Sequence, residues 1–272
     1  MKPKSFAYVR PDSVEEAVDL LAQHGEDARI IAGGQSLMAM LNLRLVEPSI
    51  LVDISQLKEL SEIGVRDGAV EVGASVTQAR LLAWPELKAR APFIALALPW
   101  VGHFQTRNRG TVCGSIAHAD PSSELPLSLR LLGGEVVLRS KKGSRKVKAE
   151  AFQQGLLTTA RRPDELITAV RFPVGVGAEG AGFREVARRH GDFAIVAVGA
   201  VKVAGSIRVA VGGVADRPGL LELPAGGSEA ERRQAIEDFA WELGGYDDIH
   251  ASARYRRDLV RRLAPIIISE AA

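Results

Sequence analysis

The feature that most constrains this chain is an apolar run that ends in two glycines and a hydroxyl residue, after which a helical pattern begins: Ile30-Ile31-Ala32-Gly33-Gly34-Gln35-Ser36-Leu37. Residues 29–32 predict a buried strand, and residues 36–44 predict a short helix. Glycine lets the backbone adopt positive φ and come close to a ligand. The free N–H groups and dipole at a helix start favour an anion such as phosphate. The third glycine of a dinucleotide fingerprint and the lysine of a phosphate loop are both absent. These residues by themselves favour a plain strand-to-helix turn, with a phosphate-holding loop as the alternative.

A second stretch of the same character lies at residues 108–126, Asn-Arg-Gly-Thr-Val-Cys-Gly-Ser-Ile-Ala-His-Ala-Asp-Pro-Ser-Ser-Glu-Leu-Pro. Thr111, Cys113, Gly114 and Ser115 supply small and hydroxyl side chains on a pliant backbone. His118, Asp120, Ser122, Ser123 and Glu124 form a polar tail ahead of a helix. Two such loops in neighbouring units predict a ligand with a central anionic group held between them, and a dinucleotide fits that description.

Three units are expected. In residues 1–57, Ser13 and Glu16 form a capping box ahead of Val14, Ala17, Val18 and Leu21, within a β-α-β-α-β pattern. Residues 58–173 carry a strand at 68–77, an apolar helix at 91–101 bent or ended by Pro99, a hairpin at 135–149 and a closing strand at 164–173. The glycine-rich residues 174–182 read as a linker. Residues 174–272 then predict strands near 183–188, 194–203 and 207–214, followed by helices near 228–241 and 253–263, an antiparallel α+β unit. Arg188 and Arg189 are expected to straddle the two faces of a strand. The arginines of residues 255–263 are expected on the wet side of a helix.

Bulk properties narrow the partners. With 35 basic against 33 acidic residues, the formal charge of +2 gives no reason to expect nucleic acid or an anionic membrane. No apolar run reaches the roughly 18–20 residues of a membrane span, and the start of the chain has no signal-like segment. One cysteine, Cys113, cannot build a disulfide framework or an iron–sulfur cluster, which points to a reducing, cytoplasmic setting.

The segments Ala-Gly-Gly-Gln-Ser-Leu-Met-Ala-Met-Leu-Asn-Leu-Arg (32–44) and residues 107–126 resemble the two flavin-binding segments of the FAD-carrying medium subunit of molybdenum hydroxylases, the carbon monoxide dehydrogenase and xanthine dehydrogenase family. The resemblance continues through residues 158–173, 183–200 and 255–265. It implies an α+β chain: a two-subdomain flavin-binding fold of the p-cresol methylhydroxylase type, then a C-terminal α+β domain with an antiparallel sheet. It further implies that Ala32, Gly33, Gly34, Gln35 and Ser36 wrap the FAD pyrophosphate, flanked by Ile30, Ile31 and Leu37. Thr111, Cys113, Gly114 and Ser115 would form the opposing wall, and Asp120 and Glu124 would contact the ribityl, the ribose or nearby backbone. Val101, His103 and His118 would lie near the flavin, and Phe193 would shield one ring face. Three departures stand out. Cys113-Gly114-Ser115 replaces a frequent Gly-Gly-Asn, Arg161 replaces a leucine, and Glu185 replaces a lysine that in some members lies near the flavin. The last two bear on the electrostatics of the flavin.

The same resemblance implies an oxidoreductase flavoprotein that passes electrons from iron–sulfur clusters to an external acceptor. The molybdenum cofactor would sit in a large partner subunit and [2Fe-2S] clusters in a small one, as a dimer of heterotrimers. Two rival readings are a stand-alone flavin oxidase or reductase and a non-catalytic nucleotide-binding protein. The residues give no acid–base or nucleophilic machinery: Cys113 and His118 lack a third partner, and the five histidines have no paired metal-ligand spacing.

Overall fold

The protein is described by a computed structural model that covers residues 2–272. Its first unit comprises β1 (Ala7–Val9), α1 (Val14–His24), β2 (Ala28–Ile31), α2 (Leu37–Asn42) and β3 (Ile50–Asp53), with the three strands parallel in the order β1-β3-β2. The Ser13 hydroxyl accepts from the Glu16 N–H at 3.1 Å, which fixes the start of α1. The Glu16 carboxylate reaches back to the N–H of Asp12 rather than that of Ser13, at 2.7 Å. Val14, Ala17, Val18 and Leu21 form the buried face of α1. The helix α2 is shorter than expected, and the Ser36 hydroxyl makes no capping bond to it.

The second unit runs through β4 (Ile63–Arg66), β5 (Ala69–Gly73), α3 (Gln78–Leu82), α4 (Leu87–Arg90), α5 (Pro92–Ala97), α6 (Phe104–Arg109), α7 (Val112–His118), α8 (Glu124–Leu132), β6 (Glu135–Ser140), β7 (Gly143–Lys148), α9 (Ala149–Phe152), β8 (Gln153–Gly155), β9 (Thr158–Thr159) and β10 (Leu166–Pro173). Its five-stranded sheet has the order β4-β5-β10-β6-β7. The expected helix over residues 91–101 is divided: α5 ends at Ala97, and a 3-10 turn follows over Leu98–Trp100. Pro99 lies in the first positions of that turn, where a missing N–H costs no internal bond. The stretch around Thr111, read from sequence as a loop wall, is instead the start of a helix. Thr111 caps it by accepting from the Gly114 N–H at 2.9 Å.

The third unit is a meander of β11 (Ala181–Val186), β12 (Val196–Val203), β13 (Ser206–Gly212) and β14 (Gly219–Pro224), followed by α10 (Glu229–Glu242) and α11 (Ala253–Ala271). Arg188 and Arg189 lie beyond the end of β11, in a turn, and straddle no strand. Two-residue alternation on β12 serves two cores at once. Val196, Val198 and Ala200 pack with α11, whereas Ala197 and Val201 join the cluster that holds Phe93 of α5 and Leu131 of α8. The apolar core is therefore continuous across residue 174.

The last helix also departs from the sequence reading. It passes Pro265 and continues to Ala271, because Ile267, Ile268 and Ala271 remain buried on its inner face. Arg256, expected in water, is 2% exposed. Its guanidinium donates to the carbonyls of Ile195 and Gly213 at 2.7 Å each, donates to Asp248 at 2.6 Å and stacks on the Tyr246 ring. Every arm of the fork meets a fixed acceptor, which is how such a charge is tolerated in an interior.

Candidate functional site

A cleft of about 1060 Å³ is lined by the turn after β2 and by the start of α7. Pockets for drug-sized ligands span roughly 300–1,000 Å³, so this one has room for a dinucleotide. One wall is the chain reversal at Ala32–Ser36, which follows the carboxyl end of a parallel strand. Gly34 sits at φ +71°, a conformation that L side chains rarely adopt. Among the described residues, no protein acceptor takes the backbone N–H groups of Gly33, Gly34, Gln35 or Ser36. A row of free donors at one turn is the arrangement that binds phosphate oxygens.

Gly33 is small for a different reason. A Cβ there would collide with the carbonyl of Arg109 and the Cα of Gly110, so the two glycine turns touch backbone to backbone. That junction is stitched on its other side by the Gln78 N–H donating to the Gly110 carbonyl at 2.8 Å and the Val112 N–H donating to Val76 at 3.1 Å. Gly114 is also constrained, since a Cβ would lie 2.7 Å from the capping oxygen of Thr111.

Ile30, Ile31, Ala32, Gly33, Gly34, Gln35, Ser36, Leu37, Val101, Thr111, Cys113, Gly114, Ser115, His118, Asp120, Glu124, Arg161 and Phe193 all line the cleft. His103 and Glu185 do not. The His103 side chain is exposed beside Gly191, its ring 6.4 Å from that of His190. Glu185 is buried on β11, outside the cleft lining. Phe193 is 58% exposed and stands on the rim, free on one side. Arg161 donates to the carbonyls of Arg162 and Glu165 at 3.0 and 2.7 Å, so its charge is held by its own loop.

Electrostatically the floor is acidic and dry. Burial pushes the Glu124 carboxyl up to about 7, with repulsion from Asp120 adding to the rise and Arg107 opposing it. Burial lowers His118 from its ordinary range, against the pull of Asp120. Burial likewise drives the Cys113 thiol well upward, and its sulfur lies 3.4 Å from the Val72 carbonyl. Cys113 has ordinary helical geometry with no positive φ, so its side chain is accommodated without strain. An inert thiol and a neutral imidazole give no nucleophile–base pair.

Gln78 was not singled out from sequence. It lines the cleft at 4% exposure, and its amide oxygen has no partner among the described residues. The only local signal was its place directly after the N-cap Thr77, which reads as an ordinary first helical turn.

Residues 4–175 match the protein family described as the FAD binding domain in molybdopterin dehydrogenase. The chain is 36% identical to the 6-hydroxypseudooxynicotine dehydrogenase complex subunit alpha of Paenarthrobacter nicotinovorans, over 100% of this chain and 96% of that one. It is 38% identical to the nicotine 6-hydroxylase medium subunit of the same organism, over 100% and 99%. Among solved structures, a chain of quinoline 2-oxidoreductase from Pseudomonas putida 86 superposes with a TM-score of 0.90 at 35% identity, covering 100% of this chain and 98% of that one.

Proposed function

The chain belongs to the family of FAD-binding domains of molybdopterin dehydrogenases, and from that premise we propose that it is the flavin-carrying, electron-transferring medium subunit of a heteromeric molybdenum hydroxylase. The observation that carries this reading is the cleft itself: a row of free N–H donors at Gly33–Ser36 and a capped helix start at Thr111–Ser115, both lining one space large enough for a dinucleotide.

Gly33 to Ser36 would hold the pyrophosphate through their N–H groups, with the Ser36 hydroxyl free to add a further bond. Thr111 to Ser115 would form the opposite wall. The unpaired amide of Gln78 supplies an acceptor at the waist of the cleft, suited to a hydroxyl of the sugar chain. Phe193 on the rim would cover the flavin ring with an apolar face and no hydroxyl. Bound there, FAD supplies the exchange between one-electron carriers and a two-electron acceptor. The side chains present bind, orient and exclude water; none is placed to act as acid, base or nucleophile on an organic substrate.

A single cysteine cannot ligate a [2Fe-2S] cluster, so the clusters belong to a small partner subunit and the molybdenum cofactor to a large one. We place the complex in the cytoplasm as a dimer of heterotrimers. No helix among the described residues is long and apolar enough to cross a membrane. The test is spectroscopic. The purified chain should bind FAD and turn yellow, and substrate should bleach it only when both partners are present. Bleaching of the isolated chain by substrate would instead make it a stand-alone flavoenzyme. Failure to take up FAD would remove the flavin reading.

A further inference from the structure

Arg29 and Arg161 are the arginines on the cleft lining, and neither forms an ion pair among the described residues. For Arg161 this is not for want of acids in its own loop. Glu165, four residues on, is 1% exposed, and other arginines hold both its oxygens: Arg145 at 2.7 and 2.9 Å, and Arg162 at 2.9 Å. Asp164 also faces Arg162, at 3.4 Å. Both carboxylates of the loop are thus committed elsewhere.

Arg161 is fixed by neutral groups instead. Its Nη1 donates to the carbonyls of Arg162, Pro163 and Glu165 at 3.0, 3.4 and 2.7 Å. Carbonyls orient a guanidinium but bring no net charge to neutralise it. The Nε and Nη2 atoms have no acceptor among the described residues, and neither is sealed from solvent. Burial works against this charge, and the like charge of Arg29 adds to the effect, with Glu165 and Asp164 opposing it. A guanidinium does not shed its proton in a protein, so Arg161 stays a cation in want of a counter-ion.

We infer that Arg161 is a preset cation of the cleft wall that recognises negative charge on the bound dinucleotide. The loop clamps Nη1, so the free Nε–Nη2 edge is held in place before a ligand arrives. That edge can meet two oxygens at once, which suits it to a phosphate. The inference rests on the flavin reading of the cleft: FAD brings pyrophosphate charge in every redox state, and its ring can carry a further negative charge when reduced.

The test takes the full chain stripped of FAD and uses FAD and ADP as separate probes, since ADP has the phosphates without the flavin ring. Arg161→Gln should weaken both ligands about tenfold or more, the size of one lost charge-assisted bond. Salt should weaken ADP binding to the parent more steeply than binding to this variant. Arg161→Lys keeps the charge and loses the fork, so it should recover a good part of the affinity and of the salt dependence. Equal losses in Gln and Lys variants, with the parent's salt dependence intact, would reduce Arg161 to a brace for its loop and overturn the inference. If both affinities hold in Arg161→Gln, the charge serves the reduced ring, and the midpoint potential of bound FAD must fall by about 30 mV or more, a tenfold loss of preference for the reduced form. Unchanged affinities together with an unchanged potential overturn the inference while leaving the flavin reading intact. A parent chain that binds neither FAD nor ADP overturns both.

Discussion

Gly33 packs its α-hydrogens directly against the carbonyl of Arg109, so the turn after β2 and the turn before α7 are in backbone contact. The two halves of the cleft are thus held at a fixed spacing by the protein, before any cofactor enters. A glycine that looks like a concession to the ligand is first a concession to the neighbouring chain segment.

Gly33→Ala should therefore weaken the cofactor-free protein as well as its flavin affinity. Overpacking of this kind costs about 1–3 kcal/mol. Thermal unfolding of the apoprotein and flavin content of the purified variant measure the two effects separately. An unchanged apoprotein melting temperature with lost flavin would mean that Gly33 serves only the ligand.

Thr111→Val should remove the bond from the Gly114 N–H and destabilise the start of α7 by about 1 kcal/mol. Thr111→Ser retains the capping oxygen and should restore most of the stability. Urea titration of both variants checks the order, and FAD dissociation constants should follow it if the helix start forms a wall of the site.

The pH dependence of stability follows from the raised carboxyls. Glu124 at about 7 and Glu185 at about 8 bind protons more tightly in the folded chain than in the unfolded one, where a glutamate titrates near 4.3. Their contribution is complete below the unfolded value and is lost as pH rises through the folded values. Apoprotein stability should fall between about pH 5 and 8, and Glu185→Gln should flatten that decline. Melting curves across this range decide it; a parent protein that gains stability toward alkaline pH would contradict the burial of these two carboxyls.

Arg256→Met should be among the most damaging single changes outside the cleft. It leaves the carbonyls of Ile195 and Gly213 and the Asp248 carboxylate without their donor. Losing one partner of such a buried network costs about 3–5 kcal/mol. Denaturant midpoints measure the loss, and Arg256→Lys should recover only a fraction because an ammonium lacks the planar fork.

Cys113 should be silent toward thiol reagents in the native protein and react fully once the chain is unfolded. Its burial and raised thiol remove both access and thiolate. Timed labelling with and without denaturant reads this directly, and Cys113→Ala should still retain flavin.

The local signals in the sequence were strong where a short segment decides its own conformation. Ser13, Thr77, Ser228 and Ser252 all cap helices through bonds to residues three further on, and the glycine-rich turn at Ala32–Ser36 reverses the chain as its composition implies. The segment at Thr111–His118 misled because its glycine and hydroxyls describe a loop as well as a capped helix; only the buried Val112, Cys113 and Ile116 decide between them. The last helix was ended too early, near 263, and Arg256 was misread, because tertiary burial overrides propensity. Leu259, Leu263 and Ile267 have an apolar surface to cover, and the helix follows that surface. The strands β4 and β14 were missed at the sheet edges, where Val65 and Leu221 lack the burial that gives a clear alternation. Gln78 could be recognised only when its environment showed an acceptor with nothing to accept.

The two-faced strand β12 also bears on how such subunits diverge. Gly199, in the middle of it, would collide with the Phe93 ring if it carried a side chain, and Leu131 closes the same spot. The C-terminal unit is therefore not an exchangeable cassette. A recombinant joining residues 1–173 of this chain to the corresponding tail of another family member inherits a seam cut for a different partner. Lineages can drift along that seam only by matched replacements on α5, α8 and β12, which makes it a place to look for correlated substitution between segments far apart in the gene.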